Sequence, residues 1–115
     1  MLEAYWAYDF VCDRPIGAIL DAFNAAGPWQ WRLRESAVYG DYLNCRPMEH
    51  VRVRVHKYPR TGEYGIFVGL RDQGFSALLE VEPESTASRF EIDGVFRHLL
   101  ETINATDLAE IAPYD

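Results

Sequence analysis

Two helical stripes of apolar residues bracket a long stretch in which apolar and polar residues alternate, and few folds accommodate that order. Ile16, Ile19, Leu20 and Phe23 fall at i, i+3, i+4 and i+7, one face of a helix. Ile92, Val95, Phe96, Leu99, Leu100 and Ile103 share a second helical face. Between them, Trp29, Trp31 and Leu33 alternate with Gln30, Arg32 and Arg34, and Val51, Val53 and Val55 alternate with Arg52, Arg54 and His56. Alternation of this kind marks half-buried strands. Two amphipathic helices and several half-buried strands pack most simply as two layers.

The predicted elements follow in order. Residues 3–12, rich in Tyr, Trp, Phe and Val, read as a strand apolar on both faces. Asp13 offers a helix N-cap with Pro15 in the first turn, and Gly27 and Pro28 stop that helix. A strand over 29–35 is followed by residues 36–50, which have no clean period and contain Gly40, Asn44 and Pro47, and so read as a long loop. Strands over 51–58, 63–71 and 75–82, joined by turns at Pro59–Gly62 and Asp72–Gly74, complete an antiparallel meander. In the segment 84–91, Ser88 and Glu91 have capping-box spacing, but Asp93 is an equally good N-cap, so the second helix is placed from about residue 92. The tail 106–115 can add an edge strand through Leu108 and Ile111.

The expectation is one α+β domain over residues 1–115, a two-layer sandwich with an antiparallel sheet and two helices on one face. A ferredoxin-like arrangement with extra strands is the first choice, and a curved sheet gripping a helix is the alternative. A chain of 115 residues buries roughly two-thirds of its unfolded surface, so one core suffices without metal or disulfide. Two cysteines, Cys12 and Cys45, are too few for a disulfide framework, although one bridge is possible. No basic leader precedes an apolar run at the N-terminus, and no apolar stretch is long enough to span a bilayer. The resulting expectation is a cytoplasmic protein with free thiols.

The net charge of −7 argues against nucleic-acid binding. Its distribution is uneven. Residues 32–60 carry seven basic and three acidic side chains, a net +4, and the remainder carries −11. Alternation places Arg32, Arg34, Arg52 and Arg54 opposite the apolar faces of their strands, so four guanidinium groups share one sheet face if the strands pair. Glu80, Glu82 or Glu63 can neutralise them internally. Left free, they suit a carboxylate, a phosphate or an acidic protein surface.

Phosphate-binding glycine loops, paired-cysteine zinc patterns, nucleophile elbows and metalloprotease helices are all absent from the sequence. His50, His56 and His98 lack local ligand spacing, so no metal and no cofactor are expected. Trp6, Trp29 and Trp31 are assigned to the core and sheet. The leading expectation is a non-enzymatic module that binds a protein partner, a second copy of itself as a homodimer, or an anionic small ligand through the arginine face. The rival is a small cofactor-free enzyme or ligand carrier with its site under the 36–50 loop. That site would be lined by Tyr39, Asp41, Tyr42 and His50, whose side chains can donate and accept protons.

Overall fold

A computed structural model describes residues 5–36, 40–57 and 74–111. Strand β1 (Tyr5–Val11) leads into helix α1 (Ile16–Ala26). Four strands follow: β2 (Trp31–Ser36), β3 (Gly40–Met48), β4 (Val51–Lys57) and β5 (Gly74–Val81). Helix α2 (Arg89–Thr102) and strand β6 (Thr106–Ile111) complete the described chain. The strands form one antiparallel sheet in the order β2-β3-β4-β5-β1-β6.

That order explains the fold class. A βαββαβ unit places its first strand between the last meander strand and the final strand. Here β1 lies between β5 and β6, and among the described residues the meander between the helices has four strands instead of two. The chain is therefore an α+β protein built as an extended ferredoxin-like sheet.

Register divides the sheet into two faces. One carries the rows Trp31–Cys45–Val53–Leu79–Trp6 and Leu33–Leu43–Val55–Ala77–Tyr8, nearly all of them buried. Both helices make their aromatic contacts with this face. The Phe23 ring of α1 lies 5.0 Å from that of Trp31, and the Phe96 ring of α2 lies 6.2 Å from Tyr8 and 6.4 Å from Phe10. Ile19, Phe23, Ile92, Phe96, Leu99 and Ile103 are buried in the same core, as their helical spacing requires.

Four expectations need correction. The segment read as a loop over 36–50 contains strand β3. Its Gly, Asn and Pro residues are poor strand formers, but Leu43 and Cys45 alternate inward, and pairing on both sides overrides local propensity. Pro47 falls where the ladder to β4 is irregular, between Cys45 and Met48, so its missing N–H breaks no regular bond. In consequence β2 and β4 are not neighbours, because β3 lies between them. The residue N-terminal to α1 is Pro15, with no side-chain cap, rather than Asp13. Helix α2 starts at Arg89, three residues before the expected start. Ser88 caps it, its hydroxyl oxygen accepting from the Glu91 N–H at 3.1 Å and donating to the Glu91 carboxylate at 3.2 Å. The strand expected over 63–71 and its turns lie outside the described residues, and β4 pairs directly with β5.

Candidate functional site

The second sheet face carries three rows. They run Arg52–Glu80–Tyr5, Arg32–Asn44–Arg54–Leu78–Ala7 and Arg34–Tyr42–His56–Ser76–Asp9. The four arginines thus share a face, with Asn44 and Tyr42 standing between those of β2 and those of β4. Arg32 and Arg54 are two strand spacings apart, roughly 10 Å. Arg52 is held by Glu80 at 3.1 Å. Arg32 and Arg34 are exposed and Arg54 is half-buried, and among the described residues none of these three makes an ion pair. Of the other carboxylates expected as partners, Glu82 pairs with His50, and Glu63 lies outside the described residues.

This face is not open throughout. It is buried over the middle of β1 and β5 and at the end of β4: Asp9 is 6% exposed, Ser76 1% and His56 3%. The sequence of β5, Gly-Phe-Ser-Ala-Leu-Leu-Glu-Val, is largely apolar on both sides and so favours cover on both sides. The Ser76 hydroxyl donates to the Asp9 carboxyl at 2.6 Å. His56 stands on the far side of Ser76 in the row, its ring 5.6 Å from that of Tyr42. Burial, reinforced by the Arg54 guanidinium, pushes the His56 pKa down to about 4, so its imidazole is neutral at pH 7. Although Asp, Ser and His lie in one line, the serine is in the middle and gives its proton to the carboxyl group. A hydroxyl activated for attack gives its proton to the base instead. Sequence reasoning placed His56 on this face but missed Asp9 and Ser76. The sole local signal was a carboxyl group and a hydroxyl group inside otherwise apolar strands.

Of the candidates from the 36–50 segment, the three that are described, Asp41, Tyr42 and His50, do not converge. Tyr39 lies outside the described residues. Asp41 is exposed on the helix-facing side, opposite Glu35. Tyr42 points to the second face. His50 sits in the turn between β3 and β4 at φ 69°, at the far end of the hairpin from Tyr42. The seven residues from Tyr42 to Met48 alone span roughly 20 Å of strand. Cys45, on the helix side, is buried, and burial pushes its thiol up to about 12. Cys12 is likewise buried and free, so the two cysteines form no bridge.

His50 belongs to an acidic turn. Its Nδ1 lies 3.0 Å from a Glu82 oxygen, and the ligand atoms of His50, Glu82 and Glu84 all lie within 4.8 Å of one another. That spacing fits around a divalent ion. The Glu82 hydrogen bond, helped by the charges of Glu49, Glu82 and Glu84, raises the pKa of His50 despite an opposing desolvation. A proton therefore competes with any metal for this site. The stability that His50 contributes is fully present below the ordinary histidine pKa, near 6.5, and is lost as pH rises through its raised value.

A third polar cluster joins α2 to the sheet. Asp93 accepts from the Trp6 indole N–H and the Tyr8 hydroxyl, both at 2.7 Å, and Arg89 reaches Glu110 of β6 at 2.7 Å. A cleft of about 490 Å³ at the opposite end of β1 is lined by Val11, Asp13, Arg14, Asn104 and Thr106, and contains none of the sequence-predicted residues. Among the described residues no helix is long and apolar enough to cross a membrane. The sequence matches no known family model, and no curated protein is significantly similar to it.

Proposed function

We propose that this chain is a non-enzymatic binding module that recognises an anionic surface, most simply an acidic protein segment, through Arg32, Arg34 and Arg54. One observation carries the reading: three guanidinium groups stand on adjoining rows of one face without a carboxylate partner among the described residues, in a chain whose net charge is −7. Guanidinium forks recognise carboxylates and phosphates through two parallel hydrogen bonds. Asn44 and Tyr42 stand between them and add neutral donors. Arg52 was expected to act with these three, but Glu80 already engages it, so it serves the sheet rather than the ligand.

The test uses poly-L-glutamate and inorganic triphosphate as probes, titrated against the full chain at low and high salt. Binding is expected to weaken with salt, as exposed charges require. Arg32→Gln combined with Arg54→Gln should weaken it about tenfold, a modest loss for two charge-assisted contacts. Arg52→Gln should leave binding unchanged and lower stability by about 0.5–1 kcal/mol. Equal affinity of the double variant and the native chain would remove the arginine face as the site.

A further inference from the structure

The edge of β2 carries the next step, which rests on the proposed anion-binding reading and names the form of the partner. Trp31 donates its backbone N–H to the Asn24 Oδ1 at 2.7 Å, and its carbonyl accepts from the Asn24 Nδ2 at 3.2 Å. The Asn24 amide thus stands where a residue of a further strand would stand. In an antiparallel ladder a residue's N–H and C=O point to the same side, and the side alternates along the strand. Trp31 points its backbone groups outward, away from β3. Leu33 and Glu35 therefore do the same, while Arg32 and Arg34 bond to β3. Leu33 is 43% exposed, whereas Leu43, its partner on β3, is fully buried. Among the described residues the ladder is capped at Trp31 and open at Leu33 and Glu35.

The side chains along this open edge specify what can pair with it. Arg32 and Arg34 present positive charge on the second face. On the helix-facing side, Glu35 and Asp41 stand opposite one another as like charges, with no basic partner among the described residues. A second copy of the chain does not fit. Twofold pairing of β2 with itself, centred on residue 32, 33 or 34, sets Arg32 against Arg34 or an arginine against its own copy, and like charges directly opposite repel. Nor does the β6 edge fit. Its Glu110 lies in register with Tyr8, on the helix side, and is held there by Arg89.

We infer that the β2 edge binds an extended segment of another protein by strand addition, antiparallel to β2, with the pattern basic–acidic–apolar–acidic. The basic residue faces Glu35 and Asp41, the two acidic residues face Arg34 and Arg32, and the apolar residue covers Leu33. Main-chain bonds to Leu33 and Glu35 supply affinity, and the alternating side chains supply specificity. Asn24 ends the added strand at Trp31.

The probe is the peptide acetyl-Thr-Lys-Glu-Val-Glu-Thr-amide, titrated into isotopically labelled full-length protein. Binding should slow amide exchange at Leu33 and Glu35. N-methylation of the valine removes the donor to the Leu33 carbonyl and should abolish binding. N-methylation of the first glutamate, whose N–H points away from β2, should leave the affinity within about twofold of the parent. Arg32→Gln with Arg34→Gln should weaken the peptide about tenfold or more. A peptide with lysine in place of both glutamates should not bind. Binding insensitive to valine methylation, or without protection at Leu33 and Glu35, would overturn strand addition and leave the anion-binding reading intact. No peptide binding, with poly-L-glutamate still bound, would do the same. Failure of both probes would overturn both.

Discussion

His56 occupies a setting that disfavours its charged form: it is buried, and Arg54 lies beside it on the same strand. The folded chain holds the imidazole neutral down to about pH 4, whereas an unfolded chain protonates it near 6.5. Between those values the unfolded state binds a proton that the folded state does not, so stability falls as pH falls. Over that interval the loss approaches roughly 3 kcal/mol, and it is absent above pH 6.5. Urea unfolding of the native chain and of His56→Gln at the two ends of this range should show the steeper acid loss in the native chain. Equal losses would mean that His56 is as accessible to protons folded as unfolded. At the same scale, Cys45 is buried with its thiol pushed up to about 12, and Cys12 donates to the Ile103 carbonyl at 3.6 Å. Both thiols are closed off from solvent. A thiol reagent should label the native protein no faster than its rate of opening, and label both residues promptly in denaturant.

Helix α2 is seated by polar contacts to both β1 and β6. Asp93 takes two hydrogen bonds from β1, and Arg89 bridges to β6 while its guanidinium lies 5.0 Å over the Trp6 ring. Asp93→Ala removes the acceptor for two part-buried donors and should cost about 2–4 kcal/mol, measured by thermal or urea unfolding. Phe23→Ala and Leu99→Ala, in the fully buried apolar stripes, should cost roughly 2–5 kcal/mol each. These stripes were legible in the sequence because helical spacing is a local signal, and so was the strand character of β1, β2, β4 and β5. The roles of Asp93 and of β3 were not. Asp93 looked like an N-cap because nothing local reveals that Trp6 and Tyr8, more than eighty positions away in the chain, reach it. Gly40, Asn44 and Pro47 outweighed the short Leu43–Cys45 alternation, and only pairing with β2 and β4 makes that segment a strand. Since β3 went unread, the arginines of β2 and β4 were placed side by side, whereas Asn44 and Tyr42 separate them.

Among the described residues the sheet ends at two edges of different character, β6 and β2. At β6, Glu110 is tied to Arg89 of α2, and the pairing with β1 is irregular between Asp9 and Val11. Irregular pairing of this kind discourages further strand addition. Among the described residues the β2 edge has neither device, and in the proposed reading Arg32 and Arg34 resist pairing with a second copy and admit an acidic strand. A homodimer and a complex with another protein are both compatible with the sequence, and the strand addition proposed here favours the second. Sedimentation velocity should find a monomer at low salt, where the arginines repel most strongly. Replacing both arginines with threonine keeps strand propensity, removes the repulsion and leaves Leu33 and the outward N–H and C=O groups in place. That variant should self-associate with rising concentration, and proline at position 33 of the same variant should restore the monomer, because proline lacks the N–H that an added strand needs. A native chain that dimerises through β2 at low salt, shown by slowed amide exchange at Leu33 and Glu35, would mean that arginine repulsion does not protect this edge. A threonine variant that stays monomeric at high concentration would mean that something other than those two charges keeps copies apart.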